Sequence, residues 1–522
     1  MDTKALRQKI LDLAIRGKLV PQDPSDEPAS VLLERIREQK NQMVKEGKLK
    51  AKDIKNDTII FVGEDNLHYE KFADGTVKCI EEEIPFEVPE GWEWTRLGSL
   101  FSTITGSTPS TKDASLYGDE YPFYKPTDLD AGFDVCFSED TVSEKGYKNG
   151  RILPVYSVLV TCIGATIGKT GYIRNSGICN QQINAILPNT FILPEYTYFC
   201  MCSEFEQQQI WTNSSATTLP ILNKSKFDSL FFPVPPKAQQ TRTVERIKEL
   251  LHFVEIIQQE KRTLQETIKL TKSKILDFAI RGKLVPQDPN DEPASVLLER
   301  IRAEKEELIK QGKIKRDKKE SIIFRGDDNS YYLRTGRVEE SLEDWRFDDL
   351  PETWKICCLG ELCDYGDCIN VNTEDIAEDA WILDLEDIEK DTGTVLKKVT
   401  KDQRNSVSTK HKFHSGQVLY SKLRPYLNKV VLSDADGYCT SEILPLEFKN
   451  CVLPEYARYY LMSGTFIAYA NHCSYGVKMP RLGTTDGKKA IFSLPPLSEQ
   501  KRIVETIDFC FVQLNKISEA LA

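Results

Sequence analysis

One stretch of 22 residues occurs twice in this chain of 522 residues. Residues 16–37 read RGKLVPQDPSDEPASVLLERIR and residues 281–302 read RGKLVPQDPNDEPASVLLERIR, so that they differ only at Ser25 and Asn290. Agreement of this length does not arise by chance, and the chain therefore contains an internal duplication. Two copies of one plan also suit the length of the chain, which is too great for a single hydrophobic core.

Shorter matches extend the duplication over most of the chain. The matching pairs are IIFVGEDN at 59–66 and IIFRGDDN at 322–329, PEGW at 89–92 and PETW at 351–354, LPEY at 193–196 and 453–456, and PPKAQQTRTVERI at 235–247 and PPLSEQKRIVETI at 495–507. The residues between these matches differ strongly. Repeated segments that are separated by different sequences indicate two modules that share one task but differ in specificity.

Helical patterns flank each module. Residues 3–16 have helical apolar spacing, Gly17 is placed as a helix stop, and Asp26-Glu27-Pro28 opens a second helix. Residues 238–280 contain no Pro or Gly, and their apolar residues recur with the 3.5-residue period of a coiled coil. The predicted partner-binding helix seam comprises Leu6, Ile10, Leu13, Ile247, Leu250, Val254, Ile257, Leu264, Ile268, Ile275, Phe278, Ile507, Leu514 and Ile517.

The offset between the repeats places both chain ends within a copy of this long helix. The C-terminal helix from residue 497 stops where the central helix is at mid-length, and the N-terminal helix resumes at that point. We therefore expect an antiparallel, coiled-coil-like helix pair in which one helix is continuous and the other is assembled from both termini. The expected arrangement is a pseudo-twofold one that results from a circular duplication.

The predicted fold class is mixed α/β (α+β), with two globular domains separated by the long helices. Runs such as YSVLVTCI alternate with Gly, Ser, Thr and Asn clusters in the first globular domain, which predicts short strands and turns. The predicted divisions are an N-terminal helical hairpin at 1–58, a linker with short strands at 59–88, domain 1 at 89–236, a central helical region at 237–320, a second linker at 321–350, domain 2 at 351–496 and a C-terminal helix at 497–522.

Composition limits the class of protein and its location. The chain has no apolar run long enough for a membrane span, and its charged N-terminus does not match a signal peptide. We therefore expect a cytoplasmic protein whose 14 cysteines are reduced thiols. The net charge of −11 disfavours a uniformly basic nucleic-acid-binding surface, so the local distribution of charge is what matters.

Catalytic and metal-binding motifs are missing from the sequence. No phosphate-binding GxxxxGK[ST] loop and no HExxH pair is present, and the spacing of Asp436, Glu447 and Lys449 occurs by chance in most long chains. The sequence therefore predicts no catalytic residue and no metal site. A cryptic nuclease or methyltransferase stays open as an alternative, as does a coiled-coil assembly scaffold that does not contact DNA.

Binding residues are predicted in both domains. Residues 397–429 contain nine Lys or Arg and one acid, Asp402, with tyrosines between them, which is typical of a surface that follows phosphates. Domain 1 offers small hydroxyl side chains and lysines instead, which suit phosphate and base contacts. The candidate DNA-binding residues are Ser107, Thr108, Ser110, Thr111, Lys112, Lys125, Lys169, Ser214, Thr217, Thr218, Lys410, Lys412, Lys422, Arg424, Tyr426, Lys478 and Arg481.

Several of these segments resemble the specificity subunit of type I restriction–modification systems. Domain 1 is similar through PEGW at 89–92, GSTPS at 106–110, TDL at 127–129, GATIGK at 164–169 and NQQ at 180–182. The repeated helix starts and ILDLAIRGKLVPQ also resemble that family. Domain 2 lacks GSTPS and the glycine-rich run, and it carries Gly476-Val477-Lys478 where domain 1 has Ala216-Thr217-Thr218.

The resemblance implies a non-catalytic subunit with two target recognition domains. In that family each domain reads one half of a split DNA target, and the helices set the spacing between the halves. The implied partners are double-stranded DNA, two modification (methyltransferase) subunits and motor/endonuclease subunits. No cofactor is implied in this chain, because S-adenosylmethionine, ATP and Mg²⁺ belong to the partner subunits.

Overall fold

The structure is a computed structural model that describes residues 2–51, 54–215, 219–315, 320–342, 350–404 and 408–521. Within these ranges the chain forms two compact units, Met1–Glu260 and Lys261–Ala522. A single helix of 44 residues, Lys237–Ile280, contributes its first half to one unit and its second half to the other. The long helix predicted from the absence of Pro and Gly is thus confirmed.

The first unit begins with a helical hairpin and continues with short strands and helices. Its helices are α1 (Thr3–Ile15), α2 (Ala29–Lys45), α3 (Leu97–Leu100), α4 (Glu144–Asn149), α5 (Pro194–Met201), α6 (Glu204–Asn213), α7 (Lys224–Asp228) and the start of α8 (Lys237–Ile280). Its strands are β1 (Ile59–Val62), β2 (His68–Lys71), β3 (Val77–Cys79), β4 (Glu93–Arg96), β5 (Thr103–Thr105), β6 (Tyr117–Tyr124), β7 (Thr141–Val142), β8 (Val158–Thr161), β9 (Thr170–Tyr172), β10 (Ile178–Cys179), β11 (Ile183–Ile186) and β12 (Phe231–Val234).

The strands of the first unit form small sheets. The sheet β5-β11-β8-β9 is antiparallel, while β10-β6-β7 contains one parallel and one antiparallel pair. Strand β12 returns to pair with β4, which closes the globular domain next to the start of α8. Ile10 of α1, Leu32 of α2 and Ile247 of α8 pack into the same core as Tyr196 and Phe232 of the domain.

The second unit repeats this order of elements. Its further helices are α9 (Ala294–Lys310), α10 (Leu359–Leu362), α11 (Pro454–Leu461), α12 (Gly464–His472), α13 (Thr484–Lys489) and α14 (Leu497–Leu521). Its strands are β13 (Ser321–Arg325), β14 (Tyr331–Thr335), β15 (Val338–Ser341), β16 (Lys355–Cys358), β17 (Ile369–Val371), β18 (Trp381–Leu383), β19 (Val399–Thr400), β20 (Lys410–Phe413), β21 (Val418–Ser421), β22 (Val430–Leu432), β23 (Gly437–Thr440), β24 (Ile443–Leu446) and β25 (Ile491–Leu494).

The sheets of the second unit are β17-β20-β23-β18-β19, β22-β21-β24 and the pair β16-β25. Only the pairing of β18 with β23 is parallel in these three sheets. Ile280 of α8, Leu297 of α9 and Ile507 of α14 join the core that contains Tyr456 and Phe492. Both units therefore bury a helical hairpin and part of a long helix against their globular domain, which is the mixed helix-and-strand fold predicted from the repeats.

Gly17 and Gly282 end the equivalent helices of the two units. Each has a positive φ, +66° and +65° respectively, and a Cβ there would lie 2.4 Å from Pro89 Cγ or Pro351 Cγ. Glycine alone tolerates both the left-handed backbone and this close approach. The near-identity of the two 22-residue stretches therefore reflects a helix ending that is packed onto the start of each globular domain.

The segments predicted as linkers with short strands form a three-stranded antiparallel sheet in each unit. They are β1-β2-β3 and β13-β14-β15. Ile60 and Ile80 of the first sheet pack in one cluster with Trp94 and Phe231. Because these side chains share a core with the domain, the segment at 59–88 is a packed element of the first unit.

The predicted seam residues divide into buried and exposed sets. The buried set is Ile10, Ile247, Val254, Ile268 and Ile507. The half-buried set is Leu6, Leu13, Leu250, Ile257, Ile275 and Leu514. The exposed set is Leu264, Phe278 and Ile517. A 3.5-residue register drifts by roughly 20° per heptad on a straight helix. The last turn of α8 accordingly buries its neighbours Leu276, Ala279 and Ile280. Partner binding by the seam, the helix pairing and the meeting of the termini stay predictions.

All fourteen cysteines are free thiols. Among the described residues no cluster of His, Cys, Asp and Glu could hold a metal ion. Across the same ranges, no helix has both the length and the apolar character that crossing a membrane requires.

Candidate nucleic-acid interface

A glycine-rich loop connects β8 and β9 in the first unit. Gly164 and Gly168 both have positive φ, +103° and +86°, and the Ile167 amide donates to Gly164 O at 3.1 Å. The Thr161 amide donates to Lys169 O at 2.9 Å, which closes the loop onto the strands. The Gly164 amide also donates to Pro220 O at 3.1 Å, so the loop is held against the segment at 219–221.

A turn at residues 180–182 brings the other polar loops of domain 1 to this place. Gly106 lies so close to the turn that a Cβ would be 2.0 Å from Asn180 O. The Thr108 hydroxyl donates to Gln181 Oε1 at 2.5 Å, and the Cys162 amide donates to Gln182 O at 2.7 Å. The loop with GSTPS, the turn and the glycine-rich loop therefore form one surface.

The same loop exists in the second unit, although its sequence contains no glycine. Arg424 and Asn428 lie 260 residues after Gly164 and Gly168, and they have positive φ of +50° and +48°. The Leu427 amide donates to Arg424 O at 2.9 Å, and the Ser421 amide donates to Lys429 O at 3.1 Å. Domain 2 lacks the glycine-rich sequence but has a loop with the same turn at this place. A left-handed conformation costs a residue with a side chain about 1–2 kcal/mol.

A short hairpin at 475–481 packs beside this loop. Tyr475 and Arg481 exchange backbone hydrogen bonds of 3.1 and 3.0 Å, and the Arg424 amide donates to Pro480 O at 2.7 Å. The Arg481 guanidinium binds the Glu442 carboxylate, with 2.8 Å between Nη2 and Oε1. The hairpin tip is fully solvent-exposed at Val477. The base of the hairpin is thus fixed, and its tip projects away from the domain.

The candidate residues of domain 1 lie in two kinds of place. Thr108, Ser110, Thr111 and Lys112 are exposed and Ser107 is half-buried in the loop beside the turn. The remaining candidates pair with their own domain or lie elsewhere: Lys125 with Asp140, Lys169 with Asp130, Ser214 with Trp211 O, and Thr217 and Thr218 outside the described residues.

The basic stretch of domain 2 is less exposed than its sequence predicts. The tertiary structure brings acids from other segments to four of its nine cations besides Lys410. The pairs are Lys397 with Asp387, Lys398 with Asp434, Lys401 with Glu378, and Arg404 with Asp384, Glu386 and Asp387. Counting charge along the sequence missed these acids because they come from residues 378–387 and from beyond the stretch.

Lys410, a predicted DNA-binding residue, is buried. Its side chain is 2 % exposed, and its Nζ lies 3.1 Å from Ser408 Oγ and 3.8 Å from Asp384 Oδ1. It lies on β20, where Lys410, His411 and Phe413 are buried and only Lys412 is exposed. Lys410 and Lys412 share one face of the strand, so the difference between them comes from the segments that cover Lys410. An ammonium group buried in this way is not on the surface that a phosphate could reach.

Several candidates of domain 2 are cations without an acidic partner: Lys422 and Arg424 at the loop, Lys478 in the hairpin and Lys412 on β20. In the described ranges no carboxylate lies within ion-pairing distance of these four residues, and Tyr426 is exposed in the loop. Arg424 is half-buried, and its Nε is buried without a hydrogen-bond partner. These groups retain donors that a ligand rich in acceptors could satisfy.

Burial changes the titration of two groups next to these residues. Desolvation lowers the pKa of Lys429, whose Nζ donates to Leu385 O at 2.6 Å. Desolvation also lowers the pKa of His411, whose Nδ1 lies 2.8 Å from Ile443 O. Both groups are held by backbone carbonyls, which indicates a structural role beneath the exposed cations.

Some residues of the surface were not among the predicted site residues. Gln181 and Gln182 lie at the centre of the domain 1 surface, Glu442 lies at the place in domain 2 that corresponds to Gln182, and Val477 lies at the tip of the hairpin. The sequence did contain a usable pattern, because Gln182 and Glu442 are related by the same 260-residue offset as the loops. Applying this offset to every loop would have identified them.

Comparison with known proteins agrees with this architecture. The family model described as the type I restriction modification DNA specificity domain matches residues 89–266 and 351–520. The chain is similar to the EcoAI specificity subunit of Escherichia coli, at 27% identity over 98% of this chain and 90% of that protein. It is also similar to the EcoEI specificity subunit of Escherichia coli, at 25% identity over 99% and 90%.

A solved structure shares the fold. It concerns complex assembly and conformational transition of the type I R-M system, and it matches with a TM-score of 0.55 and 16% identity over 84% of this chain and 94% of that chain. The two matched domains together cover more than half of the chain. The chain therefore belongs to the type I restriction–modification DNA specificity family, as a specificity subunit with two target recognition domains.

Proposed function

We propose that the chain binds double-stranded DNA and that each target recognition domain reads one half of a bipartite target. The observation that carries this proposal is the pair of equivalent loops, Gly164–Gly168 and Arg424–Asn428, which share a backbone path and differ in their side chains. The shared backbone positions both loops in the same way within their domains, whereas their different side chains can contact different bases. The target is therefore expected to have two different halves.

The helices have a separate role in this proposal. They set the spacing between the two half-sites, and they dock two modification subunits, so that the exposed seam residues Leu264, Phe278 and Ile517 contact a partner. Geometric spacing of half-sites by a rigid protein element is a general feature of DNA recognition. The chain itself does no chemistry in this scheme.

The chemistry belongs to the partners. The modification subunits bind S-adenosylmethionine and methylate adenine after flipping it out of the duplex. Motor/endonuclease subunits that use ATP and Mg²⁺ join them for cleavage. We place the assembled complex in the cytoplasm, where it meets chromosomal and incoming DNA.

Mapping of adenine methylation tests the proposal. The chain is produced together with its modification subunit in a host that lacks other adenine methylation, and the genome is sequenced with a method that detects methylated bases. We expect one motif with two unlike specified halves and an unspecified spacer of constant length. Methylation without any motif, or a motif with a single continuous block, would contradict the proposal.

A gel-shift assay with the assembled complex provides the binding control. Target duplex and random duplex are compared over a salt titration, since phosphate contacts give every DNA sequence the same salt-dependent affinity. The complex should bind the target duplex more tightly than the random duplex at each salt concentration. Equal affinity for both duplexes would contradict target recognition and favour the alternative of an assembly scaffold.

A further inference from the structure

Arg424 occupies a backbone position that glycine occupies in the other domain. Three backbone hydrogen bonds are equivalent in the two loops, and in one of them the residue at this position donates to Pro220 O in one domain and to Pro480 O in the other. Gly164 has no side chain, whereas Arg424 adopts the left-handed backbone conformation and places a guanidinium side chain at this position of the loop. A side chain held in a sparsely populated conformation marks a position at which its placement serves function.

The guanidinium of Arg424 is short of partners. The residue is half-buried, its Nε is buried without a hydrogen bond, and within the described part of the chain it pairs with no carboxylate. Its neighbour Arg481 differs, because the Nε and Nη2 of that guanidinium both donate to Glu442. Arg424 is therefore positioned by the hairpin backbone, and no hydrogen bond within the described residues occupies its Nη1 and Nη2 donors, which a ligand could bind.

We propose that Arg424 reads a guanine through the O6 and N7 acceptors of its major-groove edge, and is a specificity-determining residue of domain 2. Arginine matches this pair of acceptors with two parallel hydrogen bonds. A phosphate would also accept from arginine, but phosphates are the same at every site. A contact present in one reader and absent from the equivalent position of the other distinguishes sequences. This inference rests on the proposed DNA-reading function.

The substitution Arg424→Gly tests the inference, because domain 1 shows that glycine suits this backbone. Glycine relieves the left-handed strain, so the variant should fold with an unchanged or higher melting temperature. The assembled complex carrying R424G should accept any base pair at one position of one half-site where the original complex requires G·C. On duplexes with that position replaced, the discrimination should fall by about 10- to 100-fold.

Three further variants identify the kind of contact. R424K keeps the charge but loses the paired donors, so it should also lose discrimination at that position. R334A removes an exposed arginine of the β13-β14-β15 sheet, outside the reading loop, and should leave the motif unchanged. K412A removes an exposed cation of the same domain and should weaken binding to all duplexes alike, with a shallower salt dependence.

The outcomes separate the inference from the proposed function. If R424G lowers the affinity for all duplexes by the same factor and leaves the motif unchanged, Arg424 contacts phosphate and the inference is wrong. The proposed DNA-reading function would then still stand. If R424G and R424K change neither affinity nor motif, the inference is likewise wrong. If the original complex has no target preference, the proposed function itself fails.

Discussion

At the residue scale, Glu206 shows how far the two domains have diverged within one frame. It lies on α6, fully buried, and accepts from Gln209 Nε2 at 3.0 Å. The residue at the corresponding place of domain 2, 260 positions later, is Phe466. Burial raises the pKa of Glu206 well above its ordinary value, since its charged form has lost water without gaining a cation.

The consequence is a pH-dependent loss of stability in the first unit. With the folded pKa above the unfolded value of 4.5, the native state keeps a proton that the unfolded state releases. The contribution of Glu206 is therefore complete below pH 4.5 and declines as pH rises towards the folded pKa, with a slope of up to about 1.4 kcal/mol per pH unit. We expect E206Q to flatten the fall in melting temperature between pH 5 and 8. An equally steep fall in E206Q would contradict this.

At the element scale, the repeated helical hairpin is attached to the long helices by an ion pair in each unit. Arg242 of α8 binds Asp26 of the hairpin turn, and Arg502 of α14 binds Asp291 with 2.7 Å between Nη2 and Oδ2. Both carboxylates are nearly buried, at 9% and 8% exposure of the side chain. A buried carboxylate is costly without its cation, so these pairs help to hold the hairpin in place.

Substitution of Arg242 by leucine tests this attachment. Removal of the cation leaves Asp26 buried and unpaired, so R242L should destabilise the first unit by about 1–3 kcal/mol. The matched control is R35L, because Arg35 pairs with Glu27 in the same hairpin but both side chains are about half exposed. That pair should contribute at most about 1 kcal/mol. Urea unfolding and limited proteolysis of the turn at 17–28 measure the difference, and equal effects of the two variants would refute the role assigned to Arg242.

At the scale of the whole molecule, the chain consists of two units with the same plan and separate cores. Each globular domain begins and ends on its own strand pair, β4 with β12 and β16 with β25. Because each domain is closed by its own ends, it can be exchanged as a block without changing the helices. Exchange of one domain should then affect one half of the recognised sequence.

Replacement of residues 89–236 by the corresponding domain of a relative provides this test. We expect the methylated motif to change in one half, while the other half and the spacer length stay as they were. The reciprocal exchange of residues 351–496 is the control and should change the opposite half. Changes in both halves from one exchange would mean that the domains do not read independently.

The duplication, the long helix, the glycine helix stops and the family resemblance were all predictable from the sequence. Each depends on local chemistry: identical segments fold alike, uninterrupted apolar periodicity forms a helix, and Gly17 adopts a conformation that other residues avoid. The residues of the interface were less predictable. The count of basic residues in 397–429 did not indicate that Asp384 and Asp387 would neutralise Arg404, or that Lys410 would be buried.

Sequence by itself therefore determined that this protein has two copies of one helical and strand plan with unlike readers. Only the tertiary structure decided which cations remain exposed, and that the loop of Arg424 follows the path of a glycine-rich loop. The physical reason is that an ion pair and a backbone path depend on neighbours from distant parts of the chain, whereas helix stops and periodicity depend on the residue and its nearest neighbours.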